Sequence, residues 1–358
     1  MRMYETLTSR RGLAAINAVL AAALVCALAA LAWQLSPKGM VVRGGEVAVG
    51  IRPLLAIGGS GRGQYPEIMR PAGAAFTPGG MIVVADPGNH RIVLFRSNGR
   101  YETEFGGFGT SRPARGFEAS WEPGRFNVPL GVDVDDAGHI YVADSENAQI
   151  QMFGADTTFI ARFPDPEREA EGEAAADSAS DIAVRDVAVG GGRVFGADAH
   201  RIVAYTVEGD FLGLLGPKGE DAFEFDDITG ITAADGRVFI VDSGTRRVHA
   251  VTADGERLWT IGSTQEDGAQ DGVAPLMRYE FADPSDVALL KDGSLAVLDS
   301  GDGSVVLFTA EGRFLSRYGQ HGSAPGEMLG ATHIDALGSK LLISDTGNDR
   351  VQVVEIAR

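Results

Sequence analysis

Hydrophobic and polar positions follow one repeated pattern along most of the chain. Beyond residue 50, a short apolar strand, an aspartate, a turn and a second apolar strand recur together. Such runs, bounded by turn residues, are typical of β-hairpins. Because the same unit recurs, the pattern predicts a repeat architecture. The six copies cover residues 81–95, 139–153, 193–205, 237–251, 294–308 and 340–354.

Most copies carry a further strand after the hairpin. Four of them continue through a second glycine turn into a strand that ends in an apolar residue and glycine, as at 101–106 and 257–262. Four antiparallel strands make one propeller blade. The sixth copy reaches Arg358 without such a strand, whereas residues 52–58 (RPLLAIG) match it and have no hairpin of their own. The predicted fold is therefore all-β, a six-bladed β-propeller whose last blade is closed by an N-terminal strand.

A different pattern precedes the repeats. Residues 13–35 form an apolar run with only two polar side chains, long enough as a helix to cross a hydrocarbon core of about 30 Å. We interpret residues 1–12 as a cytoplasmic tail, 13–35 as a transmembrane signal anchor, 36–50 as a linker and 51–358 as the propeller. The arginines before the run favour a single-pass protein with a periplasmic or extracellular propeller. A cleaved signal peptide is the alternative.

Charge and cysteine content narrow the classes of partner and site. The net charge is −18 and the sequence pI about 4.7, which disfavours nucleic acid, because phosphates are bound by Lys and Arg. The single cysteine, Cys26, lies in the N-terminal apolar run. The repeats therefore have neither a disulfide framework nor a cysteine-based zinc site.

The hairpins resemble those of the NHL-repeat family. Asn89-His90-Arg91 and Asn348-Asp349-Arg350 come closest to the family signature, and residues 122–150 look like a complete family unit. In the family pattern an Arg usually follows the Asp by five positions; Gln149 and Ser304 break this pattern. We interpret the repeated Asp residues as turn caps rather than ligands. The structural turn pairs are Asp86 with Arg91, Asp198 with Arg201, Asp242 with Arg247, and Asp345 with Arg350.

One linker between blades has the composition of a binding surface. Residues 107–126 carry Arg112, Arg115, Trp121 and Arg125 in an otherwise acidic protein, and Arg and Trp are enriched where partners bind. These four residues are the candidate contacts for a protein or glycan partner. The alternative is a packing loop between blades with solvated arginines.

A second candidate site lies where the innermost strands begin. The glycine of the family pattern is kept at Gly73, Gly131 and Gly230 but replaced by Asp186, Asp286 and His333. Two carboxylates and an imidazole suit a divalent cation or acid and base chemistry. The resemblance adds weight, since related six-bladed propellers include lactonases and lyases with a metal on the channel axis. Polar residues lining a wet channel are the alternative.

These features support two functions from different classes. The favoured function is a non-catalytic binding or scaffold propeller, displayed outside a membrane and engaging a protein or glycan through its linker face. The second is a metal-dependent hydrolase or lyase, similar to a lactonase, with its site at the central channel. No Gly-x-Ser-x-Gly motif or phosphate loop is present. The two functions separate on whether Asp186, Asp286 and His333 meet in one coordination sphere.

Overall fold

Six antiparallel sheets form the part of the chain that the computed structural model describes, which comprises residues 50–58, 67–111, 120–164, 182–215, 225–262 and 276–356. Each sheet is one propeller blade, and its strands are called a to d from the channel outwards. Contacts between neighbouring a strands run through all six blades and return to the first. The all-β, six-bladed prediction is confirmed.

The strands are numbered in chain order. The N-terminal strand is β1 (Ile51–Gly58). Blade 1 contains β2 (Ala74–Phe76), β3 (Ile82–Asp86), β4 (Arg91–Phe95) and β5 (Tyr101–Gly106). Blade 2 contains β6 (Pro129–Val134), β7 (Ile140–Asp144), β8 (Gln149–Phe153) and β9 (Phe159–Phe163). Blade 3 contains β10 (Asp186–Gly190), β11 (Arg193–Ala197), β12 (Ile202–Thr206) and β13 (Phe211–Leu215).

The second half of the ring repeats the arrangement with one addition. Blade 4 contains β14 (Ile228–Ala234), β15 (Arg237–Asp242), β16 (Arg247–Thr252), β17 (Arg257–Gly262) and the short parallel strand β18 (Leu276–Met277). Blade 5 contains β19 (Pro284–Leu289), β20 (Leu295–Asp299), β21 (Ser304–Phe308) and β22 (Phe314–Tyr318). Blade 6 contains β23 (His333–Leu337), β24 (Lys340–Asp345) and β25 (Arg350–Ile356). Short 3-10 helices follow three of the b strands at Pro87–Asn89, Ser145–Asn147 and Thr346–Asn348.

Blade 6 takes its outer strand from the other end of the repeat region. Strand β1 pairs antiparallel with β25, from Ile51 opposite Ile356 to Gly58 opposite Arg350. This arrangement confirms the predicted closure. Strand hydrogen bonds therefore tie the N-terminal end of the repeat region to the last blade, so the ring is not closed by side-chain contacts alone.

The core consists of apolar layers between adjacent blades. Strands b and c are buried on both faces, as in β3, β7 and β20, where all five residues are buried. Neighbouring blades cover both faces of these strands, which explains their nearly continuous apolar runs. The outer strands alternate instead, and in β13 Leu212 and Leu214 face outwards. Inner strands can therefore be recognised in the sequence by a nearly continuous apolar run, and outer strands by alternation of apolar and polar residues.

The predicted membrane topology is not supported. No helix within the described residues is long and apolar enough to span a bilayer. On this finding the single-pass localisation, with a cytoplasmic N-terminus and a periplasmic or extracellular propeller, was wrong. The segment 13–35, on which the prediction was based, lies outside the described residues, as do the assignments for 1–12 and 36–49.

Candidate functional site at the channel mouth

Two sets of carboxylates occupy equivalent positions in several blades, and they differ in what they contact. The first set, called the hairpin carboxylates, ends the b strands. They are nearly inaccessible to solvent, with exposed fractions of 9% or less. A buried carboxylate needs donors around it, and these side chains accept bonds from backbone N–H groups and from polar side chains of their own blade. The set comprises Asp86, Asp144, Asp198, Asp242, Asp299 and Asp345.

Five of the six hairpin carboxylates hold the linker that enters their blade, whereas Asp198 accepts bonds from its own turn, at His200 and Arg201. Asp345 accepts a 2.7 Å bond from the backbone N–H of Leu329, and Asp144 accepts one of the same length from Asn127. In blade 5, Asp299 accepts bonds from the backbones of Ala282 and Asp283. The donors lie about one strand pair earlier in the chain. In five blades this Asp therefore fastens the linker to its hairpin.

The predicted turn pairs lie side by side in the structure. The Nε atoms of Arg91 and Arg350 donate to Asp86 and Asp345 over 2.9 and 2.7 Å. Arg201 donates to Asp198 through Nε and Nη2. Asp242 and Arg247 face each other across the hairpin register.

The two blades that lack the pattern's Arg differ in what replaces it: Gln149 binds the hairpin carboxylate of blade 2, whereas Ser304 of blade 5 binds a different carboxylate. In blade 2, Nε2 of Gln149 donates to Asp144 over 2.8 Å. In blade 5, Ser304 binds the neighbouring Asp302, which pairs with Arg317 from the outer strand. Burial raises the pKa of both Asp144 and Asp299 above the ordinary value. Neither carboxylate has an arginine of its own hairpin to offset that burial.

The second set, called the channel carboxylates, lies on the a strands. Asp186 and Asp286 stand at the family's glycine position, and each accepts a bond from the next blade. Oδ2 of Asp186 accepts the backbone N–H of Ile231, and Oδ2 of Asp286 accepts that of Ile334, both over 2.8 Å. An a strand has no further strand on its inner edge, so its N–H groups need other partners. These carboxylates supply two of them.

Glycine at the remaining positions makes room for these carboxylates. A Cβ atom on Gly131 would lie 2.3 Å from Oδ1 of Asp186, and one on Gly230 would lie 2.1 Å from Oδ1 of Asp286. Both distances are far below van der Waals contact. Each of these glycines precedes a blade that carries the acidic replacement. Each glycine therefore leaves free the space that the aspartate of the next blade occupies.

Asp186, Asp286 and His333 converge at the channel mouth. Each residue offers a ligand atom that lies within 4.8 Å of those of the other two. Nδ1 of His333 lies 2.9 Å from Oδ2 of Asp286. Oδ1 of Asp186 is buried and has no hydrogen-bond partner within the described residues. A buried carboxylate oxygen without a donor is costly unless a cation or proton is present.

Protonation at this cluster follows from burial and from neighbouring charges. Burial, reinforced by the charge of Asp286, raises the pKa of Asp186 to about 7. For His333, burial opposes the charged form, but the charge and hydrogen bond of Asp286 outweigh it and raise the pKa to about 10. At neutral pH His333 is therefore a cation paired with Asp286, while Asp186 titrates.

Two further carboxylates lie on a strands, Asp133 on β6 and Asp335 on β23, and were missed in the sequence. Asp133 and Asp335 follow the glycine position by two residues, and they accept bonds from the N–H groups of Val189 and Phe76 in the next blades. Burial and repulsion by Asp335 raise the pKa of Asp133 to about 7, and burial raises the pKa of Asp335 to about 6. The period of two along a strand was the signal that could have found them.

Asp186 and His333 of this cluster line a cavity of about 300 Å³ at the mouth of the channel. That volume is at the small end of ligand pockets. Hydroxyl groups and two basic side chains supply its polar lining. The polar and charged lining residues are Arg185, Asp186, Thr229, Ser285, Ser300, Thr332 and His333.

The residues of the predicted linker-face site have other contacts where the structure describes them. The guanidinium of Arg162 lies over the ring of Trp121, 4.5 Å from its centroid. Nη1 of Arg125 donates to the backbone oxygen of Gly106. Arg112 and Arg115 lie outside the described residues. A protein or glycan partner at this surface stays a prediction, as does the expected absence of nucleic acid.

Comparison with known proteins supports the repeat and the fold. The NHL repeat model matches residues 126–153, which contain strands a to c of blade 2. This match and the six blades support the resemblance to NHL-repeat proteins. No curated protein matches the chain in sequence.

Several solved structures share the propeller. A gluconolactonase from Xanthomonas campestris is 12% identical with a TM-score of 0.54, covering 85% of this chain and 98% of that one. A protein of unknown function from Bacteroides thetaiotaomicron is 14% identical with a TM-score of 0.54, covering 86% and 76%. A virginiamycin B lyase from Staphylococcus aureus is 13% identical with a TM-score of 0.48, covering 79% of each chain. At such identities the similarity shows the fold alone.

Proposed function

We propose that this protein is a divalent-cation-dependent hydrolase or lyase whose site is the channel-mouth cavity. The observation that carries the proposal is the convergence of Asp186, Asp286 and His333 within 4.8 Å beside a buried carboxylate oxygen that has no donor. Carboxylate and imidazole groups together suit magnesium, manganese or zinc. This geometry favours the enzyme over the scaffold function.

The three side chains would have separate roles in holding the cation. Oδ1 of Asp186 is the open ligand position. Because Nδ1 of His333 faces Asp286, Nε2 is the imidazole nitrogen that a cation would coordinate by displacing its proton, and Asp286 fixes the orientation of the ring. Asp286 would then act through His333, as carboxylates commonly do beside metal-binding histidines.

The residues present also fit the chemistry of a small polar substrate. A divalent cation bound here would polarise a carbonyl group or activate a water molecule. The cavity of about 300 Å³ suits a small molecule. The hydroxyls of Thr229, Ser285 and Thr332 provide donors and acceptors for substrate hydroxyls.

Metal binding by the full chain tests the site directly. We expect one equivalent of Mn²⁺ to bind in calorimetric titration and to raise the melting temperature, since binding to the native state stabilises it. Asp186→Asn should abolish both effects. Asp133→Asn is the matched control, because Asp133 lies in the same channel with both oxygens bonded to backbone N–H groups, and it should keep Mn²⁺ binding. Absence of binding to the wild type overturns the proposal.

Turnover distinguishes an enzyme from a cation-binding module. The Mn²⁺-loaded chain would be assayed against small lactones and esters with a pH indicator, with EDTA-treated protein and Asp186→Asn as blanks. We expect metal-dependent acid release that both blanks lose. Mn²⁺ binding without turnover on any member of the panel contradicts hydrolysis and leaves elimination, which the appearance of an absorbing alkene product would reveal.

A further inference from the structure

Arg185 is the residue of the channel-mouth cavity that the proposed cation site does not use. It directly precedes β10, and two backbone hydrogen bonds fix its position. Its N–H donates to the oxygen of Ala197 over 2.7 Å, and its own oxygen accepts the N–H of Gly131 over 2.9 Å. The base of the side chain is therefore held on the wall of the cavity, next to Asp186.

The guanidinium group keeps most of its donors for a ligand. Nη1 donates to Oδ1 of Asp227 over 2.8 Å, and both side chains are about half exposed. Within the described residues this is the only side-chain hydrogen bond of Arg185, so Nε and Nη2 have no partner there. The other basic group on the cavity wall, His333, is already paired with Asp286.

A hydroxyl group on the same cavity wall is also without a partner. Oγ1 of Thr229 is buried and makes no hydrogen bond within the described residues, although it lines the cavity. Guanidinium and hydroxyl donors together match the two oxygens of a carboxylate, and charge-assisted hydrogen bonds of this kind are the strong ones. A neutral ligand would offer the guanidinium of Arg185 hydrogen-bond acceptors but no opposite charge.

We propose that the substrate carries a carboxylate that Arg185 binds with help from Thr229, while its reacting group lies at Asp186, Asp286 and His333. Arg185 is then the specificity-determining residue. This inference rests on the proposed function, because it names the substrate class of the same cavity. The net charge of −18 opposes an approaching anion, so a carboxylate substrate would depend on the local positive charge of Arg185.

Paired probes test the inference without knowledge of the reaction. Lactate and its neutral amide, lactamide, have nearly the same shape and differ in charge. Their affinities for the full-length Mn²⁺-loaded protein would be measured by ligand-observed NMR. We expect the wild type to prefer lactate and Arg185→Gln to weaken lactate binding about tenfold, the loss typical of a charged hydrogen bond. Lactamide and Mn²⁺ affinities should not change.

Three further variants separate binding from folding. Arg185→Lys keeps the charge and should recover part of the lactate affinity. Asp227→Asn removes the competing carboxylate and should strengthen lactate binding severalfold. Arg193→Gln is the matched control, because Arg193 also pairs with an aspartate, Asp254, at 2.9 Å but does not line the cavity. It should leave both probes unaffected.

The outcomes also separate this inference from the proposed function. The role of Arg185 is overturned if Arg185→Gln lowers the affinities for lactate and lactamide equally, or lowers neither. It is also overturned if the wild type does not prefer lactate. Failure of the wild type to bind Mn²⁺ overturns the cation site instead. Mn²⁺ binding with no response to either probe counts against a carboxylate substrate.

Discussion

The hairpin carboxylates and the channel carboxylates are both buried aspartates that accept backbone N–H groups, yet they have different surroundings. A hairpin carboxylate such as Asp345 is surrounded by donors of its own blade, namely Asn348, Arg350 and Gln352. A channel carboxylate such as Asp186 reaches into the next blade and keeps one oxygen without a donor. Asp345 is therefore complete without a ligand, whereas Asp186 is not.

This difference shows how a repeat protein separates structure from function. A residue required by every blade appears in every blade, as the hairpin Asp does. A residue required by one site on the axis appears only in the blades that reach that site, as at Asp186, Asp286 and His333. In this protein the departures from the repeat, more than the repeat itself, indicate where chemistry is possible. Variants in the two sets should behave differently.

The largest effect is expected from removing a hairpin carboxylate. Asp345→Ala would leave the guanidinium of Arg350, which is 9% exposed, without its carboxylate. Breaking a buried ion pair from one side costs about 3–5 kcal/mol. Urea unfolding should show this loss, whereas Asp254→Ala, at an aspartate that is 79% exposed, should cost less than about 1 kcal/mol. If Asp345→Ala and Asp254→Ala lowered the free energy of unfolding equally, the hairpin carboxylates would have no special structural role.

A smaller effect is expected from filling the space beside a channel carboxylate. In Gly230→Ala the new Cβ would meet Oδ1 of Asp286 at 2.1 Å and its Cα at 2.6 Å. Overpacking of this kind costs about 1–3 kcal/mol, and it should displace Asp286 and abolish Mn²⁺ binding. Gly79→Ala is the control, since its nearest neighbour would be 3.8 Å away. Retention of Mn²⁺ binding by Gly230→Ala would contradict the steric coupling between Gly and Asp.

The smallest effect should appear as a pH dependence in the channel. The pKa of Asp133 is raised to about 7, above the value of about 3.9 in an unfolded chain. Its contribution to stability is therefore complete below about pH 4 and is lost as pH rises through about 7. Asp133→Asn lacks this loss, so its stability relative to the wild type should rise with pH.

Thermal unfolding at several pH values measures this difference. One pKa unit corresponds to about 1.4 kcal/mol. Because Asp133 keeps some contact with the channel lumen, we expect a change on the order of 1–2 kcal/mol between pH 5 and pH 8. A difference between variant and wild type that stays constant, or that falls as pH rises, would show that the carboxylate is charged throughout this range.

Much of the fold was predictable because each blade has the same local requirements. Strands b and c are nearly continuous apolar runs since neighbouring blades cover both faces, and the hairpin Asp recurs since the hairpin turn, and in five blades the linker as well, needs an acceptor. The closure by β1 could also be predicted, because residues 52–58 match an outer strand that the last repeat lacks. All of these features depend on contacts within a blade or between adjacent strands. Such contacts require similar residues in each blade, so they appear as a periodic pattern in the sequence.

The candidate site was only partly predictable for the same reason. The departures at Asp186, Asp286 and His333 were visible as breaks in the repeat, but Asp133 and Asp335 were not recognised, because they stand where no family residue is expected. Their partners lie in other blades, at Val189 and Phe76. Nothing in the local sequence indicates which N–H group a side chain will reach across a blade boundary.

The sequence by itself determined the number of blades, the order of strands and the residues that fasten each hairpin, because periodicity and turn chemistry are local. Only the tertiary structure decided that three side chains separated by 100 and 47 positions converge within 4.8 Å and that Arg185 shares their cavity. Closure of the ring brings these positions together, and the separations along the chain do not record it. The unpaired oxygen of Asp186 is likewise a property of the assembled channel.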